Sequence, residues 1–285
     1  MKTSLLAVCL LFPLVSSAPA TMVVRSFQSL RHERFYTGMD KAFVGDPYDF
    51  SGVGQESTGS WATLISDCYF ISATHLHPGP SSTVTFWETN SLAGTSHTYT
   101  VAGGQQIGGT DLWIGWFASA VDADLARYPI LDLPNAADYF GLTQFNYGLT
   151  HRVGLNVTEG ISLETVGPST GLTFYADYDN SDSPSVGGDE TFLQSGDSGA
   201  PTFNVVNGQL ALIGIHWAIT DNNPGTDEGE LFIDSAVPAY IDDINDVLDD
   251  KGQTLTLIPE PTSAALMLLG AAAMSGSRRR SRVKA

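Results

Sequence analysis

The chain has 285 residues, enough for one large domain or two small ones with a substantial core. Hydrophobic residues make up 42% and aromatics 10%, which excludes a collagen-like or wholly disordered chain. Charge is one-sided, with 13 Lys+Arg against 31 Asp+Glu, and residues 21–258 hold only seven of the basic ones. Nucleic acid, which needs a basic footprint, is therefore not an expected partner.

The two ends read as addresses. Lys2 precedes the apolar run Leu5–Val15 and the small-residue stretch Ser16-Ser17-Ala18-Pro19-Ala20. That is the layout of a secretory signal peptide over residues 1–20, removed by signal peptidase after Ala20. Cys9 leaves with it, so Cys68 stands alone and no intrachain disulfide is expected.

Residues 21–49 carry few strong signals beyond the Gly45-Asp46-Pro47 turn and form a candidate propeptide. From about residue 50 the chain reads as short strands. Trp61–Ile65 and Tyr69–Ser72 flank a Ser66-Asp67 turn. Further apolar runs follow at Val84–Trp87, His97–Val101, Leu112–Phe117, Tyr128–Leu131, Ile161–Val166, Leu172–Tyr175, Thr202–Val206 and Gln209–Ile215. Asn207-Gly208 between the last two is a two-residue hairpin signal. Many short strands at this spacing favour an all-β sandwich or barrel over a βαβ fold. One helix is expected from Val237 to Leu248, with Ile241, Ile244 and Leu248 on one face and carboxylates on the other.

Residues 251–258 read as a linker to the tail at 259–285, where Pro259-Glu260-Pro261 precedes the uncharged segment Thr262–Ser277 and the arginine cluster Arg278-Arg279-Arg280-Ser281-Arg282. Sixteen helical residues reach roughly 24 Å, a marginal span of a hydrocarbon core about 30 Å thick, and the arginines would stay cytoplasmic. This order resembles the PEP-CTERM sorting signal of Gram-negative bacteria that make exopolysaccharide. The resemblance implies transient insertion in the inner membrane, removal of the tail by an exosortase, and delivery to the cell surface or extracellular matrix.

The chemistry concentrates in Gln194-Ser195-Gly196-Asp197-Ser198-Gly199-Ala200-Pro201. Glycines around a serine allow backbone angles that aim consecutive N–H groups into one pocket, where an oxyanion can be held. A serine hydroxyl is a weak nucleophile and needs a positioned base. His75, ending Phe70-Ile71-Ser72-Ala73-Thr74-His75, can supply it, and Asp111 in Asp111-Leu112-Trp113-Ile114 can orient the imidazole.

The order His, Asp, Ser with these local texts resembles the chymotrypsin-like serine protease family over residues 50–250. The strand at Gly59–Ser66, the Ser72-Ala73-Thr74-His75 and Gly196-Asp197-Ser198-Gly199-Ala200-Pro201 texts, the run Ile213–Trp217 and the closing helix all carry the likeness. It implies two six-stranded antiparallel Greek-key barrels with the site in the cleft between them. It also implies general base His75, orienter Asp111, nucleophile Ser198 and an oxyanion hole from the N–H groups of Gly196 and Ser198. Phe192, His216, Trp217 and Ala218 fall where the family contacts substrate, and Phe192 stands where an aspartate would select Arg or Lys.

Rivals exist at each position. His77 lies two residues past His75, but the Ser-Ala-Thr-His text favours His75. Asp122 and Asp124 compete with Asp111, and Asp124-Leu125-Ala126 has a family-like text of its own. Asp111 is preferred because an apolar strand follows it and Leu133-Pro134 lies at a family-like distance. Taken alone, Gly-Asp-Ser-Gly is a surface turn. An α/β-hydrolase esterase is disfavoured, since Gly-x-Ser-x-Gly is absent and the histidine precedes the serine.

No Arg-Ile-Val-Gly-Gly activation text is present; Lys41-Ala42-Phe43-Val44-Gly45 is the weak substitute. In the family a new N-terminal ammonium pairs with the aspartate before the nucleophile, here Asp197, and the alternative is that Asp197 bonds elsewhere. The acidic run Asp177–Asp182, with Asp189 and Glu190, is a candidate Ca²⁺ loop or a solvated acidic surface; no other metal or cofactor is expected. The sequence thus predicts an exported serine endopeptidase acting on protein or peptide substrates. The alternative is a non-catalytic surface or matrix binding protein on a protease-like scaffold.

Overall fold

The computed structural model describes residues 21–178, 185–219 and 231–259. The signal segment, most of the Asp177–Asp182 loop and all of the tail after Pro259 lie outside the described residues. Among the described residues no helix is long and apolar enough to cross a membrane.

Residues 21–49 contribute strand β1 (Val23–Val24) and the short helix α1 (Ser29–His32). Six strands follow: β2 (Val53–Glu56), β3 (Trp61–Leu64), β4 (Tyr69–Ala73), β5 (Thr83–Trp87), β6 (Ser96–Gln106) and β7 (Leu112–Phe117). They close into a barrel in the order β2-β3-β4-β7-β6-β5, all pairs antiparallel. Its interior is filled by Phe70, Phe86 and Phe117 with Leu64, Val84 and Val101. Glycines make room for the rings: a Cβ at Gly115 would lie 2.1 Å from Phe70 Cζ. A packed interior, not a pore, results.

Strand β8 (Ile130–Asp132) leads to the second barrel. It comprises β9 (Thr143–Gly148), β10 (Arg152–Val157), β11 (Gly160–Val166), β12 (Ser169–Asp177), β14 (Pro201–Val206), β15 (Gln209–Ile219) and β16 (Leu231–Ala236), with the short β13 (Thr191–Phe192) outside it. The ladder runs β10-β9-β14-β15-β16-β12-β11. Its two end strands are consecutive in the chain, separated only by Thr158 and Glu159. One bent strand, 152–166, therefore pairs with β9 along its first half and with β12 along its second. Counted once, it gives six strands in a closed ring with the same order as the first barrel. At the bend Asn156 Nδ2 donates to the carbonyls of Asp177 and Thr191, sealing the seam where the ladder is interrupted. β13 lies off this ring and pairs with β1.

The chain therefore has the two-barrel, chymotrypsin-like architecture that the sequence predicts. Asn207 (φ 52°) and Gly208 (φ 81°) form the expected hairpin turn between β14 and β15. The closing helix begins as a 3₁₀ turn at Val237–Tyr240 and continues as α2 (Ile241–Asp249). Ile244, Val247 and Leu248 are buried in a core shared by both barrels, with Trp61, Ile71, Tyr147, Phe203 and Ile215. The expected linker carries β17 (Leu257–Pro259), which pairs in parallel with β8.

Residues 21–49 are built into the fold. Met22 and Val24 lie in the second barrel's core with Phe192 and Phe232, and Phe43 joins the shared core. His32 and Arg34 are wholly buried.

Candidate active site

β4 and β7 are neighbours in the first barrel, with Ala73 opposite Leu112. That register brings His75, just past β4, level with Asp111, just before β7. The ring nitrogen His75 Nδ1 lies 2.7 Å from Asp111 Oδ2, and the His75 backbone N–H donates to Asp111 Oδ1 at 3.1 Å. Asp111 is 2% exposed at its side chain, whereas the imidazole is 43% exposed. The carboxylate thus fixes Nδ1–H as a donor and leaves Nε2 toward solvent as a base.

The rival residues sit elsewhere. His77 donates from Nδ1 to the Thr74 carbonyl and stacks on Trp113 at a centroid distance of 3.8 Å. Asp122 is 43% exposed at its side chain, accepts from the Asp124 N–H, and faces His97 rather than His75.

Ser198 is half-buried in the turn between β13 and β14. Its neighbour Gly199 (φ +82°) presses on the histidine segment: a Cβ there would lie 2.7 Å from Ser72 Oγ and 2.9 Å from the Leu76 carbonyl. Only glycine allows that approach. No hydrogen bond joins Ser198 Oγ to the His75 ring, whose Nδ1 is bonded to Asp111. Ala200 is buried and donates its N–H to the Asp197 carbonyl at 3.0 Å.

In the same turn Gln194 N–H donates to the Asp197 carboxylate, Asp197 N–H to the Gln194 carbonyl and Gly199 N–H to the His216 carbonyl. Among the described residues no acceptor is bonded to the N–H groups of Gly196 (φ +107°) or Ser198. Two unpaired donors beside a serine are what an oxyanion hole requires.

Asp197 is fully buried, and burial pushes its carboxyl up to about 6, against the pull of the N–H groups of Leu149 and Gln194 that it accepts. Its two oxygens are thus held by backbone amides at 2.7 Å each, with no ammonium involved. The Lys41–Gly45 stretch is tied down: Lys41 Nζ donates to the carbonyls of Arg34 and Asn90, and Val44 N–H to that of Arg31.

A cleft beside Ser198 is lined by Leu193, Gln194, His216, Trp217, Ala218 and Ile219. Phe192, expected among the substrate contacts, instead turns into the core against Met22 and Phe232, and Leu193 takes the wall position. His216 is 1% exposed and donates from both ring nitrogens, Nδ1 to Asp234 Oδ1 at 2.7 Å and Nε2 to the Tyr147 carbonyl at 2.9 Å. Burial alone would lower its pKa, but the Asp234 charge and hydrogen bond outweigh it and raise it, in keeping with two ring nitrogens that both face acceptors. Asp234, absent from the sequence-based site, is the partner that makes His216 structural.

Of the acidic run, Asp177 Oδ1 is buried without a hydrogen-bond partner among the described residues, while Asp189 and Glu190 are engaged by protein groups. Asp189 binds Arg31 and His32, and Glu190 accepts from Ser185 and Val186. Among the described residues no cluster of three or more His, Cys, Asp or Glu is placed to hold a metal.

No protein-family profile and no curated protein matches the chain. Solved structures do. The NS6 protease of murine norovirus 1 is 17% identical, covering 65% of this chain and 89% of that one at a TM-score of 0.40. The scabies mite inactivated protease paralogue S-I1 is also 17% identical, covering 70% and 92% at a TM-score of 0.46. These are distant likenesses, and the fold assignment stands on the strand order above.

Proposed function

We propose that the protein is an exported serine endopeptidase working through an acyl-enzyme. The observation that carries this reading is the His75–Asp111 pair, an exposed imidazole held at 2.7 Å by a buried carboxylate beside a serine turn with two free N–H groups. Ser198 Oγ attacks the scissile carbonyl carbon as His75 Nε2 takes its proton. The carbonyl oxygen becomes an oxyanion held by the N–H groups of Gly196 and Ser198. His75 returns the proton to the departing amine, and water then repeats the sequence on the acyl-serine. Asp111 orients the ring and supports its charge throughout.

The substrate is a protein or peptide lying along the cleft walled by His216, Trp217 and Ala218. Signal peptidase and an exosortase process the two ends, and the domain reaches the cell surface or extracellular matrix. These proposals rest on residues 1–20 and 259–285 as sequence.

The test is labelling of secreted protein with a fluorophosphonate, with both mature termini mapped. Adduct formation on Ser198, lost in Ser198→Ala, is expected. Protein that never reacts favours the non-catalytic scaffold, a reading whose one structural support is the missing Ser198–His75 hydrogen bond.

A further inference from the structure

Asp197 has to be held for the N–H groups of Gly196 and Ser198 to point into one pocket, and an unbroken chain of contacts reaches it from the N-terminal segment. β9 and β10 are joined by only Leu149, Thr150 and His151. Thr150 (φ 62°) and His151 (φ 57°) are both left-handed, a conformation that costs L-residues and persists only where surroundings enforce it. The enforcing contacts are present. The His151 ring is enclosed by Phe35, Trp61, Trp87 and Tyr147 at centroid distances of 4.7, 5.3, 5.1 and 6.0 Å.

Arg34, wholly buried, donates to the Tyr147 hydroxyl oxygen at 3.2 Å, and its backbone N–H donates to the His151 carbonyl at 3.1 Å. With its oxygen facing the guanidinium, Tyr147 donates its own proton to His151 Nδ1 at 2.9 Å. Asn90 and the carbonyls of Trp87 and Thr89 hold the rest of the guanidinium. From the clamped turn, Leu149 N–H donates to Asp197 Oδ1 at 2.7 Å. Gly148 allows this closeness, since a Cβ there would lie 2.6 Å from the same oxygen. From the other side Trp61 Nε1 reaches the Gly196 carbonyl at 3.4 Å.

We propose that Arg34, Tyr147 and His151 are positioning residues that hold the oxyanion turn through Leu149 and Asp197, so that the site is set without a cut at Lys41–Gly45. This rests on the serine-peptidase reading, and it assigns the N-terminal segment a lasting role. Arg34 lies seven residues before Lys41, so loss of residues 21–49 would remove the anchor.

The deciding experiment uses full-length secreted protein and Tyr147→Phe, which deletes only the linking hydroxyl, with His151→Phe as the second variant should the first fold poorly. Hydrogen exchange is read over residues 193–201 and over the first barrel, alongside kcat and KM on a peptide ester. Exchange at 193–201 should quicken at least tenfold with the first barrel unchanged, and kcat should fall about tenfold with KM within twofold, since a misplaced oxyanion donor acts on the transition state. Unchanged exchange at 193–201 in a folded variant overturns the proposal whatever the activity. Wild-type protein inert to fluorophosphonate overturns the peptidase reading instead, and the exchange result still decides the positioning role.

Discussion

Two His–Asp pairs, one on each barrel, share the same bond and differ in everything around it. His75 Nδ1–Asp111 Oδ2 and His216 Nδ1–Asp234 Oδ1 are both 2.7 Å. The first imidazole is 43% exposed with Nε2 unoccupied, while the second is 1% exposed with Nε2 donated to the Tyr147 carbonyl. A proton shuttle needs a nitrogen that can change partners, and only His75 has one. The buried pair has spent both nitrogens on structure. Pair distance alone does not separate a catalytic dyad from a brace; the fate of the second nitrogen does.

The sharpest test of this contrast is to cut both carboxylates. Asp111→Asn should lower kcat by about 10³–10⁴, because the ring loses its tautomer and its charge support, while thermal stability stays close to wild type. Asp234→Asn should do the opposite. It strips the buried His216 ring of its carboxylate partner and should cost roughly 3–5 kcal/mol of stability, read by urea unfolding, with kcat largely retained in the protein that stays folded. Equal losses of activity in the two variants would erase the distinction.

The pH dependence of stability sharpens the same point with a half-buried and a buried histidine of opposite sign. Burial, with the Arg34 charge adding to it, lowers His151 to about 3. A depressed base contributes stability that is present above its unfolded value of about 6.5 and is lost as pH falls toward 3. His216, raised by Asp234 against burial, contributes stability that is full below about 6.5 and is lost as pH rises through its folded value. Urea midpoints from pH 3 to 9 should therefore show the acid-side loss shrink in His151→Phe and the alkaline-side loss shrink in His216→Gln.

What the sequence showed, and what it hid, follows the same division between local and distant chemistry. The His75–Asp111 contact was legible because each residue sits in a short text at a strand end, and the turn around Ser198 because its glycines impose it. The β14–β15 hairpin was legible for the same reason. β9 and β10 were not, since their buried positions include Gln144, Asn146 and Asn156, which break the apolar pattern. Their amide nitrogens donate to partners farther along the chain: Gln144 to Thr158, Asn146 to Thr191, and Asn156 to Asp177 and Thr191. Arg34 lies in the stretch with few signals, yet it is wholly buried, because its acceptors are carbonyls and a phenol that no charge pattern announces. Phe192 was placed by its offset from Ser198, and offset fixes neither strand nor face.

A third pair of the same length sets the lower end of the scale. His97 Nε2 lies 2.7 Å from Glu88 Oε1 on the β5–β6 side of the first barrel, with side chains 20% and 23% exposed. Water reaches both partners, so the attraction is screened and neither is stranded when the other is removed. Glu88→Gln should change stability by less than about 1 kcal/mol in urea unfolding and leave kcat unaltered, with even that difference fading in high salt. If it proved as costly as Asp234→Asn, burial would not be what separates the three pairs, and the argument assigning His216 to structure and His75 to chemistry would lose its physical basis.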